Sequence, residues 1–158
     1  MAGRPLCPRL RGTATLSEQI LPGGRPISTR RASQLVVPAH PERIQEAREF
    51  ADEAAASFGF DEDARYDIRL AATEAVTNAI RHGARSPRDT VQVTVLEGDR
   101  VLTVCVADQG SFIPRVVNGD PLPEQGRGLA FIAHLMDDVC IRTGDRGTTV
   151  RFSKRLPD

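Results

Sequence analysis

The sequence predicts an α+β fold: a two-layer sandwich of a mostly antiparallel mixed β-sheet packed against about three helices. Three observations predict it. Two neighbouring stretches, 41–58 and 61–82, carry apolar residues at helical spacing. Five short runs rich in Val, Ile and Thr surround them as strands. Tight hairpin loops outnumber the long crossovers that parallel strands require, which favours antiparallel pairing.

The elements follow in order. Gln34-Leu35-Val36-Val37 is a β-branched run stopped by Pro38. Ile44, Ala47, Ala51, Ala54, Ala55 and Phe58 mark the first helix, and Gly59 supplies its C-terminal cap. Asp61 is a good N-cap for the second helix, which runs through Ile68, Leu70, Ala71, Ala75, Val76 and Ile80 to about His82, where Gly83 closes it. Strands are predicted over 91–96 and 101–107, joined by the hairpin loop Glu97-Gly98-Asp99-Arg100. Residues 108–126 are long, rich in Gly and Pro and aperiodic, which suits a functional lid. Leu129, Ile132, Ala133 and Met136 mark a short helix. Strands over 139–143 and 148–152 then close the chain around Gly144-Asp145-Arg146-Gly147.

Composition narrows the function. The chain has 158 residues, 40% hydrophobic and 27% charged, enough for one globular core. With no Trp and one Tyr it lacks an aromatic platform for single-stranded nucleic acid. Its formal net charge is zero, which argues against direct nucleic-acid binding by bulk charge. That zero conceals a split: residues 1–31 carry six Arg against Glu18, a sum of +5, so the remainder carries −5. The basic leader, 1–32, is rich in Pro, Gly and Arg, too poor in apolar residues to offset its ordering entropy. It reads as a disordered tail or an over-long translated start, with contact to an acidic partner as the alternative; residues 33–158 form the domain. The three cysteines are scattered, and Cys105 and Cys140 sit in apolar runs as expected buried, reduced thiols. No continuous apolar stretch is long enough for a membrane span, and the leader has no apolar signal core, so a cytoplasmic protein without membrane contact is expected.

Four features carry chemistry. Glu74, Asn78 and His82 repeat at i+4 and share one helix stripe, beside alanines that mark it as largely buried. A solvated polar face is the bland reading. An Asn oxygen, however, suits Mg²⁺, and a Glu one turn away suits orienting or deprotonating a nucleophile. Asp108-Gln109-Gly110 ends an apolar strand, where a lone acid can accept from an exocyclic amine and glycine admits a flat ligand; a plain strand-to-turn Asp-x-Gly looks the same. Gly126-Arg127-Gly128-Leu129 precedes a helix, and its freed N–H groups at a helix N-terminus suit phosphate, as an ordinary Gly-rich cap also would. Gly147-Thr148-Thr149 lies on the closing hairpin and is uninformative alone.

In this order, with a lid between the second and third, the four are far more specific than any one. The run from Glu74 to Gly83 resembles the N box of the GHKL ATPase superfamily, and Asp108-Gln-Gly110, Gly126-Arg-Gly-Leu129 and Gly147-Thr-Thr149 resemble its three glycine boxes. The small single domain and the stretch from Gly128 to Val139 look most like the bacterial anti-sigma-factor serine kinases. The resemblance spans about 34–156 and implies ATP and Mg²⁺ as cofactors. It implies Asn78 as the Mg²⁺ ligand and Glu74 as general base for a serine hydroxyl. Asp108 would bind the adenine amine, with Gly110 leaving room for the ring and Thr149 supporting the pocket. Gly126 and Gly128, followed by Leu129, would wrap the phosphates, with Arg127 stabilising charge near the γ-phosphate. Asp108-Gln-Gly110-Ser-Phe112 lacks the second glycine of many members, and the lid is shorter than in histidine kinases.

The function so implied is a serine protein kinase and anti-sigma factor that sequesters a sigma factor and phosphorylates an anti-sigma factor antagonist, acting as a homodimer. The alternative is a non-catalytic ATP-binding interaction module. A histidine kinase is disfavoured because 1–60 offers no helical hairpin with a phospho-accepting histidine; His40 lies between prolines.

Overall fold

The computed structural model describes residues 19–20, 26–27, 29–86, 88–109, 124–144 and 147–158. Strands β1 (Gln19–Ile20) and β2 (Pro26–Ile27) pair with each other. The main sheet holds β3 (Arg31–Pro38), β4 (Thr90–Glu97), β5 (Val101–Asp108), β6 (Asp138–Gly144) and β7 (Gly147–Arg155), in the order β3-β4-β5-β7-β6. Its partner layer is α1 (Ile44–Phe58), α2 (Glu62–Asn78) and α3 (Glu124–Leu135). Every ladder among the described residues is antiparallel, so the sheet contains no mixed pairing there.

The α1–α2 corner forms where local chemistry dictates. Gly59 adopts φ 108°, and its N–H donates to the carbonyls of Ala55 and Ala56, ending α1. Asp61 caps α2 by accepting from the Ala64 N–H at 2.9 Å. Arg65 then grips Asp52 of α1 with two 2.9 Å hydrogen bonds, and Arg69 joins Asp52 to Glu62. These bonds hold the Asp52 carboxyl below its usual range.

Alternation along the strands turns Val91, Val93 and Val95, Leu102, Val104 and Val106, and Val150 and Phe152 toward the helices. Against them lie Ala47, Ala51 and Ala55 of α1, Ile68, Ala71, Ala75 and Val76 of α2, and Leu129 and Ile132 of α3. The alanine-lined faces let α1 and α2 approach the sheet closely. Lys154 ties the layers at one end, donating to Asp67 Oδ2 at 3.0 Å and to the Leu135 carbonyl at 2.9 Å.

Several boundaries differ from the sequence reading. β3 starts at Arg31 rather than Gln34, because ladder pairing with Glu97 extends it past the β-branched run. α2 ends as an α-helix at Asn78, and Ala79–Gly83 winds on as a π-turn. α3 begins at Glu124, so Gly126, Arg127 and Gly128 lie inside its start rather than ahead of it. Most of the expected lid, 110–123, lies outside the described residues. Within the leader, β1 and β2 are the described elements. Cys105 is a free thiol, but Cys140 is disulfide-bonded, contrary to the expectation of a reduced thiol, because sequence spacing is blind to contacts far apart in the chain. Among the described residues no helix is long and apolar enough to cross a membrane.

Candidate functional site

α2, β5, α3 and β7 converge on a narrow recess of about 10 Å³, no larger than one water. Ala75, Ala79, Val106, Leu129 and Val150 form apolar walls, and Asn78, Asp108 and Thr148 supply the polar groups. Few polar groups on apolar walls are the usual make-up of a small-molecule site. A flat heteroaromatic ring bearing an amine matches it chemically.

The helical i+4 spacing puts Glu74 and Asn78 on one stripe, and the start of α3 crosses directly over it. A Cβ on Gly128 would lie 2.8 Å from Glu74 Oε2 and 3.2 Å from Asn78 Nδ2. Glycine therefore lets the backbone of α3 meet both side chains. The first N–H groups of a helix have no partner within it. The start of α3, including Gly126 and Arg127, thus offers donors near a carboxylate and an amide, while Gly128, the fifth residue, contributes its missing side chain. Arg127 is placed in α3, but its side chain lies outside the described residues.

Asn78 Nδ2 is buried and has no hydrogen-bond partner. An amide turned by half a rotation would present its oxygen to the same space. A buried orphan of this kind is incomplete without a ligand. Among the described residues there is no cluster of three or more His, Cys, Asp or Glu able to cage a metal. Mg²⁺ held by one protein oxygen together with phosphates and water matches this donor set. The residues present therefore fit a magnesium–nucleotide.

Asp108 ends β5 between two glycines. A Cβ on Gly83 would stand 2.5 Å from each carboxylate oxygen of Asp108 and closer still to Cγ. Gly147 adopts φ 136°, and a Cβ there would overlap the carbonyl oxygen of Asp108. Gln109 pins this strand end to β4, its Oε1 accepting from the Thr90 N–H at 3.3 Å and its Nε2 donating to Thr90 Oγ1 at 3.1 Å.

Of the sequence-predicted residues, Asn78, Asp108 and Leu129 line the recess, and Glu74 and Gly128 meet beside it. Thr149 does not line it; Thr148 does. Strand alternation explains the correction, since Thr149 pairs with Ala107 and Arg142 and so points to the opposite face. Counting back by two from the core residue Val150 would have selected Thr148. Gly110 lies outside the described residues. Gly83, a helix cap by its sequence position, is buried in the π-turn against Asp108, an approach no local pattern reveals.

The model of the histidine kinase-like ATPase domain family matches residues 37–154. A serine-protein kinase RsbW of Bacillus licheniformis is 33% identical over 135 residues, covering 75% of this chain and 82% of that protein. An anti-sigma F factor of Geobacillus kaustophilus is 34% identical over 100 residues, covering 57% of this chain and 68% of that protein. The crystal structure of the RsbU and RsbW domains of a Mycobacterium tuberculosis protein superposes with a TM-score of 0.64 at 25% identity. That match covers 80% of this chain, which spans about a third (32%) of the solved one.

Proposed function

The chain belongs to the histidine kinase-like ATPase domain family, and from that premise we propose that it is an ATP- and Mg²⁺-dependent serine protein kinase and anti-sigma factor. It would sequester a sigma factor in one state and phosphorylate an anti-sigma factor antagonist in the other, as a cytoplasmic homodimer without direct nucleic-acid contact. The observation that carries this reading is the meeting of Glu74 and Asn78 with Gly128, on a recess that also holds Asp108. The names of the relatives, a serine-protein kinase and an anti-sigma F factor, support it.

Bound magnesium–ATP supplies the phosphoryl group and neutralises phosphate charge. The chain's own residues position and polarise. Asp108 accepts from the adenine amine, Gly110 leaves room for the ring, and Thr148 and Leu129 border the pocket. Asn78 would hold Mg²⁺ through its amide oxygen. The backbone N–H of Gly126 and the Arg127 charge would receive the phosphates, with Gly128 allowing their close approach, the positioning and charge stabilisation on which phosphoryl transfer depends. Glu74 accepts the proton of the serine hydroxyl.

Incubation with magnesium–ATP and candidate antagonist proteins, followed by mass spectrometry for phosphoserine, tests the proposal. Wild type transfers phosphate, and Glu74→Gln lowers the rate by at least about 100-fold with nucleotide binding retained. ATP binding without transfer to any candidate would instead favour the non-catalytic interaction module.

A further inference from the structure

The register of the main sheet leaves one side of Asp108 without ladder support. β5 pairs with β7 out to Asp108, opposite Thr148, but its pairing with β4 stops one residue earlier, at Ala107 opposite Gln92. β4 itself runs on to Thr90, where it pairs with Pro38 of β3. Continuing the β4–β5 register by two residues places Thr90 opposite Gln109. There a side chain takes over from the backbone. Gln109 Oε1 accepts from the Thr90 N–H at 3.3 Å, and Gln109 Nε2 donates to Thr90 Oγ1 at 3.1 Å. Only one orientation of the amide satisfies both contacts, because a backbone N–H can only donate.

We propose that Gln109, locked onto Thr90, is a positioning residue that aims the Asp108 carboxylate at the exocyclic amine of an aminopurine. It thereby sets the preference of the site for adenine over a purine carrying oxygen at that ring position. This deepens the nucleotide reading above and rests on it. Asp108 is hemmed in on its other sides. A Cβ on Gly83 would stand 2.5 Å from each carboxylate oxygen, and a Cβ on Gly147 would overlap the Asp108 carbonyl oxygen. Those contacts hold the carboxylate only while the end of β5 stays in line. On the β4 side, the tie that keeps it there is the Gln109 side chain. Binding groups must be held to within about 0.5 Å of their productive place, and hydrogen bonds from neighbouring side chains do this.

The chemistry makes this tie a specificity device. A carboxylate accepts hydrogen bonds, so it pairs with an amine N–H and rejects a carbonyl oxygen at the same place on the ring. How strongly it discriminates depends on where its oxygens point. Gln109 does not line the recess, so it acts through Asp108 rather than on the base itself. Its two bonds to Thr90 are exposed to solvent. Losing them costs the fold little, since water replaces each partner. The effect of breaking the tie therefore falls on the aim of Asp108.

The full chain is titrated calorimetrically with magnesium–ATP and with magnesium–inosine triphosphate, whose ring carries oxygen in place of the amine. Wild type, Gln109→Ala, Thr90→Val and Gln109→Glu are compared, with a melting curve for each. Wild type should prefer ATP. Gln109→Ala should lose about five- to tenfold of that preference, through weaker ATP binding at unchanged inosine triphosphate affinity. Thr90→Val should move the same way, and it decides the matter if Gln109→Ala melts early. Gln109→Glu should keep the preference, because its carboxylate accepts from both the N–H and the hydroxyl of Thr90. Full preference in Gln109→Ala, an equal loss for both nucleotides, or no preference in the wild type would overturn the proposal and leave ATP binding standing. A wild type that binds no ATP would overturn the nucleotide reading and the proposal with it.

Discussion

At Gly83 a single hydrogen stands where any other residue would push a methyl group into the Asp108 carboxylate. The backbone there is not left-handed, so alanine suits the π-turn itself, and the three atoms nearest its methyl group all belong to the Asp108 carboxylate. Gly83→Ala should therefore keep its thermal midpoint within a few degrees of wild type while losing at least about tenfold in ATP affinity, about 1.4 kcal/mol. Parallel melting and binding curves check it, and unchanged affinity would remove Asp108 from nucleotide recognition. Gly147 is a different case: its φ of 136° and its overlap with backbone make any side chain a structural lesion. At this scale the sequence was informative where chemistry and spacing coincide. Glu74, Asn78 and Asp108 announce themselves because charged and amide groups beside apolar runs need partners. Gly83 and Thr148 do not. The first acts on a residue 25 positions away, and the second is distinguished from Thr149 only by which way the strand faces.

Among the elements, the α1–α2 pair is held by charge as well as by alanine packing. Hydrogen bonds from Arg65 are the main cause of the lowered Asp52 value, opposed by burial and aided by Arg69. Lowering relative to the ordinary 3.8 means the stabilisation is full above about pH 4 and is lost as pH falls through the depressed value. Asp52→Asn should cost about 1–2 kcal/mol at pH 7. The gap between the two melting curves should hold from pH 7 to 5 and close below pH 4. A gap independent of pH would show that the carboxylate charge is not what binds the helices. Element starts and stops governed by one or two residues, the Gly59 cap and the Asp61 cap, are legible locally. The π-turn after Asn78 and the early start of α3 are not, because 108–126 carries no periodicity from which a helix start can be counted.

For the molecule as a whole, the zero net charge is a balance between a +5 leader and a −5 body, and the body contains the entire matched domain, 37–154. An acidic body suits docking on proteins rather than on nucleic acid. The sheet order β3-β4-β5-β7-β6 brings the end of β5 and the start of β7 side by side, so that residues 40 apart in sequence, Asp108 and Thr148, face the same recess. α3 then lays its glycine over α2. The recess is thus a product of the whole topology, and a magnesium–nucleotide is the ligand proposed for it. Calorimetric titration of the full chain with ATP, with and without Mg²⁺, in wild type and Asn78→Ala, tests this most directly. One ATP should bind per chain, tightened by Mg²⁺ in the wild type and indifferent to Mg²⁺ in Asn78→Ala. Absence of ATP binding, or an Asn78→Ala protein with the full Mg²⁺ effect, would contradict it.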